Sequence, residues 1–591
     1  MKNLLLAGGA GLAILAGAGT VSRGSESTIL RTGTVVVSPY ARILQGATPQ
    51  ATAADRFRAS GALQLVDELV ARQMRQDRTP GVALAITSRE GTLMVSTYGF
   101  ADLRARVPLT PAHLFEIGSI SKSFTAIALL QQREAGRFDP QAPIATYLPW
   151  FKVRTEYEPI TGHQLLTHTA GLPVDRDDVP SSLYQVAALR EIVPARPGTR
   201  FAYTNVGYQV LGYALAAIAG RPYPDVIREA IFRPLGMTSS EPQVVHDTRL
   251  RLAVGYSDMY DDRPEHVSHP LMPATWLEYA AGDGSIAATP EDMAAYTRMI
   301  LNGGRTSSGA VISRESFGLL TQKAVRTGEG EWYGYGLRIR EVEGRMSLTH
   351  SGGMVGYSST LMADMTNGLG AVVMINGPGS PQVLAEFALS AARAAANNAP
   401  LPSLPSVDDP VRVPDSADFA GTYTSPSGAV LRVIAEQERL WIIYRGERLA
   451  LERRGRDRFS ANHPDFALFL LQFGRDATKK GVTELSHGDS WFTSERYEGP
   501  RTFTYPEAWN AYPGHYRTPH AWFSNFRIVL RKGQLLLVSP TGREKLLVPA
   551  GEEFALEDKE SAERLRFDTI VNGSALRVTL SGVPYYRSFT P

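Results

Sequence analysis

The chain has 591 residues, more than one ordinary domain, so two or three domains are expected. Its 43% apolar and 20% charged residues suffice for buried cores, and a net charge of +2 with no basic block argues against a nucleic-acid partner. Cysteine is absent, which excludes disulfides, thiolate catalysis and Cys-based zinc sites; no His-Glu-x-x-His spacing occurs, so neither metal nor cofactor is expected.

The N-terminus reads as an export signal over residues 1–19. Met1-Lys-Asn is a short basic start, Leu4 to Gly19 is small and apolar, and Ala16-Gly-Ala18 suits cleavage. The expected location is periplasmic or secreted. The apolar run is short for a span of about 20 residues, so the mature chain should carry no membrane span, although an uncleaved anchor would fit the same residues. Residues 20–56, rich in Ser, Thr, Ala and Arg, read as an unstructured spacer.

A globular pattern occupies residues 57–398. Leu63 to Met74 reads as an amphipathic helix. Pro80 to Ile86 and Thr92 to Thr97 read as a hairpin turning at Glu90-Gly91. Next comes Phe115-Glu-Ile-Gly-Ser-Ile-Ser-Lys122, a polar turn running into a helical apolar pattern. If Ser119 opens that helix, Lys122 lies one turn on, with Cβ atoms about 5–6 Å apart. The amine can then take the hydroxyl proton, and the helix N-terminus favours developing negative charge. The plainer reading of Ser119 and Lys122 is an N-cap and a solvated lysine.

Tyr203 and Asn205 follow in Arg200-Phe-Ala-Tyr-Thr-Asn205, just before an apolar helix, Val206 to Ala219, that ends at Gly220. A phenol can relay a proton and a carboxamide can bind a carbonyl. Alternatively Tyr203 is core and Asn205 an N-cap. Helical stretches dominate to about residue 303 and strands return from 332 to 376. Among these strands lies His350-Ser-Gly-Gly353. Glycines at a strand edge let a substrate approach, and their N–H groups can hold an oxyanion; otherwise this is a glycine turn with an incidental histidine. Asn367-Gly368 and Ala371 to Ile375 read as a turn and a buried strand, and Pro381 to Ala396 as a helix. The whole fits an α+β domain with one antiparallel sheet.

Residues 399–416 hold five prolines and read as a stiff linker. Val430–Ile434, Leu440–Tyr444 and Ala467–Leu471 are short apolar runs expected as strands. Phe419-Ala-Gly-Thr-Tyr423 is echoed in register by Tyr512-Pro-Gly-His-Tyr516, Arg527–Leu530 and Leu535–Val538 echo the next strands, and the segment ends with Leu576–Leu580 and Tyr585-Tyr586. Two small antiparallel β-barrels are expected, a lipocalin-like one over 417–500 and a second over 506–591.

Ser119-x-x-Lys122, Tyr203-x-Asn205 and His350-x-Gly352, in that order, resemble the three motifs of the penicillin-recognising serine hydrolases, in particular the class C β-lactamase-like branch. Leu165-Leu-Thr-His-Thr-Ala-Gly-Leu172, Arg233-Pro-Leu-Gly-Met-Thr238 and the block opening at Gly282-Asp-Gly-Ser285 are similar to other blocks of that family. The resemblance implies a β-lactamase/transpeptidase-like fold and an acyl-enzyme. Ser119 would attack, and Lys122 would help deprotonate it. Tyr203 would hydrogen-bond both and pass the proton on. Asn205 would orient the acyl group, and the N–H groups of Ser119 and Gly353 would hold the oxyanion. Which of Lys122 and Tyr203 is the base stays open. His350 stands where many β-lactamases have lysine, and as an imidazole it is expected to titrate near neutral pH. His168 is read as structural.

The layout, a hydrolase domain before two barrels, resembles D-stereospecific aminopeptidases. The implied partner is a short peptide or other small molecule, led by D-amino-acid peptides and peptidoglycan fragments, with contact to the cell wall. A carboxylesterase, a β-lactamase and a β-lactam-acylated sensor are the rivals.

Overall fold

The computed structural model describes residues 53–173, 181–406, 409–476 and 481–589. The expected signal segment and most of the expected spacer lie outside these residues. Helix α1 (Ala53–Ala59) begins inside the stretch read as spacer, because Phe57 is buried under the domain. Helix α2 (Ala62–Asp77) follows, burying Val66, Leu69, Val70 and Met74 on one face.

Among the described residues, nine antiparallel strands form the central sheet. They are β1 (Gly81–Ser88), β2 (Thr92–Asp102), β3 (Val107–Pro108), β4 (Val325–Gly328), β5 (Glu331–Tyr333), β6 (Arg338–Val342), β7 (Arg345–Met354), β8 (Tyr357–Asp364) and β9 (Leu369–Ile375), in the order β4-β5-β6-β7-β8-β9-β1-β2-β3. The first and last strands of this domain meet inside the sheet, where Val82 pairs with Ile375 and Leu84 with Val373. Alternation along β1 sends Val82, Leu84 and Ile86 toward α2 and α6 (Pro381–Ala396), and Ala83 toward the helical region. Each such buried aliphatic contributes about 1.5–3 kcal/mol.

On the other face lie α3 (Ser121–Glu134), α4 (Asn205–Ala219) and α5 (Pro290–Leu301). Helix α3 is buried nearly all round, its Ser123 and Thr125 hydroxyls hydrogen-bonded to Tyr296 and Tyr223, and stops at Ala135-Gly136, where glycine takes φ 70°. Among the described residues, no helix is long and apolar enough to cross a membrane.

Two closed eight-stranded antiparallel barrels follow among the described residues. The first runs from Gly421–Thr424 to Ser490–Thr493 and the second from Gly514–Arg517 to Val583–Ser588. The sequence echo has a physical basis. In the first strand of each barrel a tyrosine hydroxyl donates to the carbonyl four residues back, Tyr423 to Phe419 at 2.8 Å and Tyr516 to Tyr512 at 2.7 Å. One expected strand is wrong. Of Ala467–Leu471 only Leu471 is in a strand. The rest is a loop whose Leu470 is buried beside Gly542 of the second barrel, so apolarity here marks a covered loop rather than a strand.

The linker is extended but not detached. Leu401 and Leu404 pack under the sheet helices, and Val413 is part of the first barrel core. Residues 258–270 join all three bodies. Asp261 accepts from Arg517 and Ser524, Asp262 pairs with Arg527, and His266 Nε2 lies 3.0 Å from Glu452.

Candidate active site

Ser119 lies in a 3-10 turn (Gly118–Ile120) that leads into α3. From Leu114 to Leu130 it alone is not buried, so the chain exposes one hydroxyl at the mouth of an otherwise closed core. Two glycines let this turn touch β7. Gly118 has φ 52°, and a Cβ there would come within 2.6 Å of the Gly353 carbonyl oxygen; a Cβ at Gly352 would run into the carbonyl of Ile117. Ser359 Oγ donates to that same Ile117 carbonyl at 2.9 Å, fixing the approach.

Lys122, fully buried on α3, places Nζ 2.8 Å from Ser119 Oγ. It also donates to Asn205 Oδ1 at 2.7 Å and to the Asp283 carbonyl at 2.9 Å. Asn205 is the first residue of α4, after Thr204 at the N-cap, so the helix start aims its amide at the lysine. The resemblance implied a Tyr203 hydroxyl bonded to Lys122. Instead Tyr203 presents its ring, with Nζ 5.0 Å from the centroid. Asn205 Oδ1 and the Asp283 carbonyl, which can only accept, hold two of the amine's positions.

His350 and His168 belong to one hydrogen-bonded chain whose proton positions follow from its ends. Thr204 N–H donates to His168 Nδ1 at 3.1 Å, so His168 carries its proton on Nε2, 3.2 Å from the Tyr333 hydroxyl. The Tyr333 oxygen lies 3.0 Å from His350 Nε2, and His350 Nδ1 donates to the Ser351 carbonyl at 2.6 Å. Tyr333 therefore accepts from His168 and donates to His350. His168 ties down the loop carrying Tyr203, and its ring lies 4.2 Å from that of Tyr203. This is the structural part its motif suggested.

The expectation that His350 titrates near neutrality is overturned. Burial and the neighbouring Lys122 push it down to about 3, and both ring nitrogens are engaged within the protein. Burial likewise holds His168 well below the usual histidine range, and keeps the Tyr208 and Tyr333 phenols above theirs. Ser351 and Gly353, exposed next to His350, line the strand edge that a substrate would meet.

Ser119, Lys122, Tyr203, Asn205, His350, Gly352 and Gly353 thus converge from one helix start, one loop and one strand. Sequence reading missed Tyr333 and the Asp283 carbonyl. Asp283 sits in the Gly282-Asp-Gly-Ser285 block, which was a usable signal; Tyr333, in a three-residue strand, offered none. Among the described residues, no cluster of three or more His, Asp or Glu side chains is arranged to hold a metal ion.

Residues 66–396, more than half of the chain, match the family described as Beta-lactamase. Penicillin-binding protein 4* of Bacillus subtilis (strain 168) is 26% identical over 394 residues, covering 61% of this chain and 84% of that protein. Protein flp of Staphylococcus aureus (strain N315) is 26% identical over 203 residues, covering 33% of this chain; the chain spans less than half of that relative's length, 41%. Among solved structures, the octameric penicillin-binding protein homologue from Pyrococcus abyssi is similar with a TM-score of 0.55 at 22% identity, covering 73% of this chain and 99% of that one, a likeness of fold. The chain belongs to the Beta-lactamase family, whose members are serine hydrolases.

Proposed function

We propose that this chain is an exported serine hydrolase that cleaves an amide or ester bond through an acyl-enzyme on Ser119. The observation that carries the reading is the Lys122–Ser119 contact of 2.8 Å. With Asn205 Oδ1 and the Asp283 carbonyl each accepting one N–H, a neutral amine turns its lone pair to Ser119.

Ser119 Oγ attacks the carbonyl carbon and its proton passes to Lys122 Nζ, or to Tyr203 if the phenol is ionised and Lys122 charged. The N–H groups of Ser119 and Gly353 hold the oxyanion. The intermediate collapses, the leaving amine or alcohol takes the proton through Tyr203, and water later cleaves the ester to Ser119. Asn205 serves here chiefly to orient Lys122.

D-amino-acid peptides or peptidoglycan fragments are the proposed substrates, on the resemblance of a hydrolase domain followed by two barrels to D-stereospecific aminopeptidases. Steady release of p-nitrophenol from p-nitrophenyl acetate, abolished in Ser119→Ala, tests the chemistry. A burst that then stops would make the protein an acylated sensor instead. Comparison of a D-amino-acid amide, its L isomer, an ester and a β-lactam tests the substrate class. Indifference to the D configuration would overturn the peptide reading in favour of an esterase or β-lactamase.

A further inference from the structure

A cavity of about 540 Å³ lies between the end of β7 and the second barrel. Its volume is within the range of small-molecule sites, and a domain interface is a usual place for one. From the catalytic domain Met354 and Val355 supply apolar lining beside the polar segment 257–265. From the barrel the cavity is lined by Trp522, Phe523, Leu537 and Leu556. Leu537 and Leu556 belong to the buried barrel core, so the cavity opens on the mouth of the barrel rather than on its outer wall.

The cavity adjoins the candidate site. Met354 directly follows Gly353. Its sulfur would lie 3.5 Å from a Cβ placed on Gly284, and the Gly118 carbonyl carbon 3.7 Å from the same point. One side chain therefore separates the cavity from the turn that carries Ser119.

Four of the charged residues that line it are paired within the protein, and burial pushes the carboxyl of a fifth, Glu265, up toward its neutral form; Lys545 is the sixth. Asp258 meets His269 at 2.9 Å, Asp261 meets Arg517 at 2.6 Å, Arg263 meets Asp262 at 2.8 Å, and Arg543 meets Glu557 at 3.5 Å. What remains for a ligand is mainly aromatic and aliphatic surface.

We infer that this cavity binds an uncharged apolar substituent of the substrate, aliphatic or aromatic, remote from the bond that is cleaved. The inference rests on the acyl-enzyme reading for its kinetics but not for its binding test. Binding energy from such a remote group can be used at the reacting carbonyl.

The binding test uses the neutral fluorophore N-phenyl-1-naphthylamine on full-length Ser119→Ala, where no turnover occurs. Saturable binding to one site is expected. Thr541→Trp puts an indole into the cavity from an exposed hairpin position, and Val355→Trp does so from the opposite wall. Each should weaken binding by about tenfold or more, since burial of a few methylene groups is at stake. No saturable binding, or unchanged binding in both folded variants, would overturn the inference.

The kinetic test compares p-nitrophenyl octanoate with p-nitrophenyl acetate in an otherwise wild-type chain. Thr541→Trp should lower kcat/KM for octanoate and leave acetate unchanged. Equal effects on both esters would overturn the link to substrate. No turnover of either ester by wild type, with probe binding intact, would instead count against the acyl-enzyme reading alone.

Discussion

Lys122 Nζ stands 2.8 Å from Ser119 Oγ, within a cage of acceptors completed by Asn205 and Asp283. The lysine is fully buried and the serine is not, so the pair joins the closed core to the open cleft. Ser119→Ala should abolish turnover and leave the thermal midpoint near that of wild type, because the hydroxyl supports no buried structure apart from Lys122. Hydrolysis by the variant at the wild-type rate would remove Ser119 as nucleophile.

Lys122→Met and Tyr203→Phe should each reduce kcat by about 10²–10⁴-fold, the usual range for a proton-transfer group. Lys122→Met should also remove the Lys122 hydrogen bond from Asn205 Oδ1. If both residues move one proton, the double variant loses less than the product of the single losses. Multiplicative losses would show that they act separately.

Tyr333→Phe removes the hydroxyl that accepts from His168 and donates to His350. Two buried imidazole nitrogens then lack partners, at about 1–3 kcal/mol each. The thermal midpoint should fall, and kcat should fall with it, since His168 holds the Tyr203 loop through Thr204. A variant as stable and as fast as wild type would show that this chain of hydrogen bonds holds nothing in place.

A histidine held down to about 3 stays neutral across working pH. The ratio of kcat/KM for a D-Ala-D-Ala peptide to that for a D-amino-acid amide should therefore not change between about pH 5 and 8 on account of His350. A drop in that ratio centred near the ordinary histidine range, lost in His350→Gln, would show that the imidazole meets a substrate carboxylate.

Glu116, three residues before Ser119 and 5% exposed, is pushed up from 4.5 to about 8 by burial. The folded state binds this proton more tightly than the unfolded chain. Its contribution to stability is therefore complete below about pH 4.5 and is lost as pH rises through about 8, at about 1.4 kcal/mol per pH unit. Glu116→Gln should flatten the decline of unfolding free energy over this window. Parallel stability curves for the two proteins would show that Glu116 ionises freely.

Much of the site was legible in the sequence because its parts are local. A serine and a lysine one helical turn apart, a Tyr-x-Asn before an apolar run that ends in glycine, and a Gly-Gly at a strand edge each state a geometry within a few residues. The strand and helix patterns over 81–102 and 369–396 were legible for the same reason: period and punctuation are properties of short windows. The echo of Phe419–Tyr423 in Tyr512–Tyr516 was readable as repetition, and the structure supplies its cause in a hydroxyl that closes each first strand. What the sequence could not decide was anything set by distant neighbours. The titration of His350 depends on burial and on Lys122, 228 positions away along the chain. The partners of Lys122 include a main-chain carbonyl, which carries no residue signature at all. The strand expected over Ala467–Leu471, of which only Leu471 is in a strand, failed for one reason. Apolarity says that a segment will be covered, and only the tertiary fold says by what and in which conformation.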